Sequence, residues 1–94
     1  MNLRTLRYFV AVVDAGSLTA ASLAIPIAQP ALTRHIKQLE AELDQRLFHR
    51  TGRTLTLTEA GQVALAYADS IIATGNELVE VLRSLMARWS LRDG

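Results

Sequence analysis

The stretch IAQPALTRHIKQLEAEL, residues 27–43, decides how this chain folds. Leu32, Ile36, Leu39 and Leu43 recur at the three- and four-residue spacing of one helix face. Pro30 stands in the first turn, where a missing N–H costs nothing. The spacing therefore predicts a helix over 29–43. Between its apolar positions lie Thr33, Arg34 and Lys37, with Gln29 just ahead of them. A helix that only plugs a core needs no polar, basic face so near its N-terminus. A helix that pushes its first turns into a groove lined with hydrogen-bonding groups does.

Working backwards, Pro26 disfavours helix at Ile25 and ends the preceding element there. That element is a short helix over 17–25, with Ser17 as its N-cap and Leu18, Ala21, Ser22 and Ile25 facing inward. Ala20 and Ala21 are small enough to let another helix approach closely. Before it, Leu3, Leu6, Val10 and Val13, with Phe9 and Val12 beside them, predict an amphipathic first helix ended by Gly16. Two helices joined by a short turn, behind a third, make a helix-turn-helix.

Working forwards, Leu47 and Phe48 lead to a turn expected at Thr51-Gly52, and Thr54-Leu55-Thr56-Leu57 alternates with the period of a strand. This predicts a small β-hairpin with Arg50 and Arg53 near its tip. Thr58 caps a long last helix, with Glu59 in its positive first turn. That helix carries one stripe through Ala60, Ala64, Tyr67, Ile71, Leu78, Leu82, Leu85 and Trp89, and a second through Ala68, Ile72, Val79 and Met86. Two apolar stripes exceed what so small a domain can cover, so one is expected to meet another chain. Gly75 is expected to interrupt the helix or to allow a close approach.

Ninety-four residues suit one modest core, and half of them are apolar, against disorder by composition. Without cysteine there are no disulfides, thiolate metal sites or thiol catalysis. No apolar run approaches the roughly 20 residues of a membrane span, and there is no basic-then-apolar leader, which suits a cytoplasmic protein. The net charge of +1 hides an asymmetry. Residues 1–58 hold seven Lys/Arg against four acids, and residues 59–94 hold three against five. A polyanion would meet the first part, although +3 over that length is also an ordinary solvated surface. His35 and His49 have no carboxylate or HExxH spacing around them, so neither metal nor catalytic roles are expected, and no enzyme constellation is present.

Four blocks in order, LRYFVAVVDAGSLTAAS (6–22), AQPALTRHIKQLEAEL (28–43), RLFHRTGR (46–53) and LTEAG (57–61), resemble the N-terminal DNA-binding domain of LysR-type transcriptional regulators. The resemblance implies a mainly α winged helix-turn-helix over 1–58 and a dimerisation helix over 59–94. It also implies a bacterial homodimer, tetrameric at full length, and a separate effector domain for a small molecule that these residues do not include. No cofactor is expected within the chain. Ser22, Ile25, Pro26, Thr33 and Asp44 depart from the commoner residues of that pattern. Asp44 tolerates left-handed backbone better than most, so the turn after the third helix is expected to survive.

These readings answer the opening stretch. A major groove admits an α-helix and offers distinguishable donors and acceptors. Gln29 can pair with adenine, Arg34 can fork onto guanine, Thr33 can offer methyl or hydroxyl, and Pro30 and Ala31 can rest on a thymine methyl. The plainer alternative is that Gln29 caps the helix and Arg34 pairs with Glu40 or Gln38. Lys37, Ser17 and Thr19 are expected at phosphates, with Ser17 also a plain N-cap, and Arg50 flanks the hairpin turn. The resemblance puts Arg53 at the minor groove, where arginine reads width. Tyr67, Ile71, Leu78, Leu82, Leu85 and Trp89 are expected at the dimer interface. The competing function is a helical interaction module whose helix-turn-helix is only structural.

Overall fold

The computed structural model describes residues 1–52 and 54–93, with the side chains of 91–93 set aside. Four helices and one hairpin follow in the order α1 (Leu3–Ala15), α2 (Leu18–Ala24), α3 (Gln29–Leu43), β1 (Phe48–Thr51), β2 (Thr54–Leu57) and α4 (Glu59–Asp93). Local chemistry sets nearly every boundary. Asn2, which sequence reasoning missed, caps α1 by accepting from the Thr5 N–H at 2.8 Å. Gly16 ends α1 at φ +81, a left-handed conformation that glycine adopts freely. Ser17 then caps α2, its hydroxyl accepting from the Ala20 N–H at 3.1 Å. Asp44 ends α3 at φ 53, as its tolerance of that geometry implied.

The core is a single cluster. Leu6, Phe9 and Val12 of α1 meet Ala21 of α2, Leu32, Ile36 and Leu39 of α3, then Leu47, Phe48 and Ala68. Phe9 and Phe48 meet edge to face at 5.5 Å, which joins the first helix to the hairpin. β1 and β2 pair antiparallel, with Phe48 opposite Leu57 and Thr51 opposite Thr54. The turn therefore begins at Gly52, φ +62, one residue later than the sequence suggested, because Thr51 still belongs to the ladder. A bond from the Leu55 N–H to the Gly16 carbonyl ties the hairpin to the α1–α2 turn.

α4 joins this core at its start and leaves it midway. Thr58 caps it, its hydroxyl accepting from the Gly61 N–H at 2.9 Å. Gly61 lies so close to the Leu47 carbonyl that any Cβ there would collide with backbone oxygen. Ala64, Ala68, Ile72 and Gly75 continue the face turned to α1, so the 58/59 boundary marks a change of element rather than of core. Gly75 does not interrupt the helix, which runs unbroken through it. It admits Leu3, whose side chain would lie 3.3 Å from a Cβ at that position. Beyond Gly75 both apolar stripes are exposed except at half-buried Leu85, Val79 and Met86 included. The helix spans about 52 Å at 1.5 Å per residue. This explains a longest dimension of 60 Å and a radius of gyration of 16.9 Å, against about 12 Å for a compact chain of this length. Among the described residues no single helix is long and apolar enough to cross a membrane.

Candidate nucleic-acid interface

α3 divides cleanly by face. Leu32, Ile36 and Leu39 are buried, whereas Gln29, Pro30, Arg34 and Lys37 are exposed and Ala31 and Thr33 half-buried. The N-cap of α3 is Ala28, with no side-chain cap bond, so Gln29 is the first helical residue and does not cap. Its amide oxygen instead accepts from the Thr19 hydroxyl at 3.3 Å, a link between α2 and α3 that sequence spacing could not reveal. Arg34 makes no ion pair with Glu40 or any other described residue. It opens, with Pro30, Thr33, Lys37, Gln38 and Ala41, onto a shallow groove along the helix. The plain capping and pairing alternatives for Gln29 and Arg34 are thus not what the molecule does.

Thr33 and Lys37 also line a second recess, between α3 and the hairpin. Its other walls are Leu18, Ile36, Glu40, Arg46, Phe48, Arg50 and Leu55, around a volume of about 250 Å3. Positions 48 and 50 turn toward α3 together because side chains alternate along an extended chain, and Arg46, just ahead of the strand, borders both this recess and the groove on the opposite side. Leu47 and His49 fall on the opposite side, in a larger apolar groove that α1 and α4 also line. Arg50 is therefore part of the α3 surface, one ladder pair below the hairpin end. Arg53 lies outside the described residues. Ser17 spends its oxygen lone pair on the Ala20 N–H, and Thr19 is exposed on the same short helix. His35 is half-buried and stacks edge to face on Tyr8 at 5.0 Å, a packing role. Among the described residues no group of His, Asp and Glu can hold a metal ion.

The remaining sequence-level site residues lie on α4. Tyr67 is 68% exposed, Leu78 58% and Trp89 51%, with Ile71 and Leu82 also exposed and Leu85 half-buried. They stand apart from the polar face of α3 and share none of its recesses.

A family model described as bacterial regulatory helix-turn-helix protein, lysR family, matches residues 3–62. This chain is a member of the lysR family. Over 72 residues it is 51% identical to the nitrogen assimilation regulatory protein nac of Klebsiella aerogenes, covering 77% of this chain and 24% of that protein. It is 40% identical over 94 residues to the RuBisCO operon transcriptional regulator of Allochromatium vinosum, covering 98% of this chain and 31% of that one. The chain thus spans a quarter to a third of these relatives, both regulators by name. Among solved lysR-type folds, a BenM DBD in complex with benA site 1 DNA superposes with a TM-score of 0.86 at 39% identity, covering 90% of this chain and 99% of that one. A CbnR DBD–DNA complex gives 0.86 at 35%, covering 90% and 98%. The winged helix-turn-helix followed by a long helix is therefore the fold of this lysR-family chain.

Proposed function

We propose that this chain is the DNA-reading and pairing part of a dimeric transcriptional regulator. Residues 1–58 bind double-stranded DNA with α3 in the major groove and the hairpin at the minor groove, and residues 59–94 pair with a second copy. The observation that carries this reading is the polar face of α3, where Gln29, Pro30, Arg34 and Lys37 are exposed beside half-buried Thr33; it runs on into the hairpin recess, and neither Arg34 nor Lys37 has an ion-pair partner among the described residues. Gln29, Pro30, Ala31, Thr33 and Arg34 meet base edges. Ser17, Thr19, Lys37, Arg50 and Arg53 meet the backbone and the minor groove. Tyr67, Ile71, Leu78, Leu82, Leu85 and Trp89 meet the second chain, since burying each large apolar side chain is worth about 1.5–3 kcal/mol. The related DNA complexes and regulators support the same reading. The chemistry of such a protein is binding rather than catalysis, in the cytoplasm where the DNA lies. The effector of the whole regulator, a small molecule, engages residues outside these 94.

Selection of bound duplexes from random DNA tests the proposal. It should return a two-fold related pair of half-sites with a spacing of whole helical turns, as an interrupted dyad with T and A near its outer ends. Enrichment of no sequence, with binding that ignores salt, would favour an interaction module with a merely structural helix-turn-helix.

A further inference from the structure

The recess between α3 and the hairpin contains a residue with no role so far. Arg46, Lys37 and Arg50 all line it, and none of the three forms an ion pair with a described residue. The only acid in its walls is Glu40. Its carboxylate is already committed, accepting from the Leu47 N–H at 2.7 Å. Three cations against one carboxylate leave a net positive cleft in the unliganded chain.

The mount of Arg46 is rigid. Beside the Glu40 bond, the Arg46 carbonyl accepts from the Thr58 hydroxyl at 2.6 Å, and the Leu47 carbonyl accepts from the Thr58 N–H at 3.0 Å. Two residues are thus pinned to α3 on one side and to the start of α4 on the other. A fixed mount lowers the ordering cost of using the side chain it carries. Like charges gathered in one recess repel each other, and an anion between them reverses the sign of that interaction. The recess, at about 250 Å3, is well above the space of roughly 10–15 Å3 that admits a single water, so a small anionic group can enter it.

We infer that Arg46, Lys37 and Arg50 together grip a single DNA backbone phosphate, clamped between the recognition helix and the hairpin. This rests on the reading of the chain as a DNA-binding domain. It adds Arg46 to the contact set and makes the three cations share one phosphate instead of taking one each. The shared grip locks the α3 register to the hairpin register, so both grooves are read in one fixed frame.

Counterion release tests this, because the salt slope counts phosphates neutralised, not side chains. Binding of the selected duplex is titrated between low and moderate salt for wild type, R46A, K37A, R50A and the triple variant, with circular dichroism to confirm the fold. Each single variant should weaken binding roughly tenfold, as expected when one charge-assisted contact is lost, while changing the slope by clearly less than 0.9 per subunit. The triple variant should lower the slope by about 0.9 per subunit. The losses should also be non-additive, as for residues sharing one partner. Slopes that fall by about 0.9 for every single variant, reaching about 2.7 in the triple, would overturn the shared phosphate. Unchanged affinity and slope for R46A would remove Arg46 from the site. If wild type itself binds no duplex in a salt-dependent way, the DNA-binding reading fails first, and the inference with it.

Discussion

Two helices of this chain show solvent a face that the chain itself does not use. On α3 the face is polar: Gln29, Arg34 and Lys37 are exposed around Pro30 and Thr33. On the far half of α4 it is apolar: Leu78, Val79, Leu82, Met86 and Trp89 are between 46% and 60% exposed. The first face costs little to leave in water, so folding does not need DNA to cover it. The second carries a standing penalty of about 25 cal/mol per Å2 of apolar surface. Contiguous exposed apolar surface of this kind marks an interface. By physical chemistry the two faces suit partners of different kinds, and they should fail differently.

Breaking the apolar face should have the largest effect. Ile71→Glu with Leu78→Glu places charges on two of its exposed positions and should leave a folded monomer. Full-site affinity should then drop by roughly 10²–10⁴-fold, the usual gain from joining two binding units, while an isolated half-site binds almost as before. Sedimentation and half-site titrations would decide it. A folded wild-type monomer at high micromolar concentration, still bound as one copy to the full site, would sink dimer pairing. Lost helicity in the variant would show that Ile71, which also borders the apolar groove beside Leu6 and Phe9, serves its own core.

Breaking the polar face should change selectivity rather than assembly. Arg34→Ala should cost about 1–3 kcal/mol of discrimination between the preferred and random duplexes, as for a lost bidentate base contact. Competition binding reads this directly, and equal losses on both duplexes would reassign Arg34 to phosphate.

The polar face was largely legible in the sequence and the apolar one only half so. Gly16, Ser17 and Pro30 are punctuation with local causes, so α1, α2 and α3 could be bounded within a residue or two. The 3–4 spacing of Leu32, Ile36 and Leu39 also fixed which side of α3 faces outward. What escaped depends on distances between elements. Thr19 and Gln29 are ten residues apart, and their bond exists because the α2–α3 turn folds them together. Glu40, offered by the sequence only as a possible partner for Arg34, accepts from the Leu47 N–H instead. At Gly61 the Leu47 carbonyl, fourteen residues away in sequence, leaves no room for a Cβ. On α4 periodicity marked two stripes but could not say where the core ends along them.

The Thr19 bond gives a smaller, sharper effect on the same polar face. Thr19→Val keeps the shape and removes the hydroxyl that donates to Gln29. An exposed neutral hydrogen bond is worth about 0.5–1.5 kcal/mol, so preference for one base pair should relax a few-fold. Because Thr19 also meets the backbone in the proposed reading, binding to random DNA should fall as well, but less than binding to the preferred site, and Thr19→Ser should restore both. An equal loss on all duplexes would leave Thr19 its phosphate contact alone, with no part in orienting Gln29.

The smallest effect tests where the two halves of α4 part. Gly75 is the last position of the packed face, with Arg7 of α1 donating to the neighbouring Asn76 side chain at 3.0 Å. Replacing a mid-helix glycine by alanine stabilises a helix by about 0.8–1.0 kcal/mol. Against this stands the new methyl, which would meet a Leu3 methyl at 3.3 Å. That contact is a few tenths of an ångström too tight, but Leu3 is 41% exposed and its branch has room to turn. Helix propensity should win by a fraction of a kcal/mol, raising Tm by a few degrees in a domain this size. The comparison must be made at one protein concentration, because pairing through α4 itself shifts Tm by mass action. A lower Tm would mean that Leu3 is held fast, so that the packed half of α4 reaches past Gly75 and the free apolar face starts further along the helix.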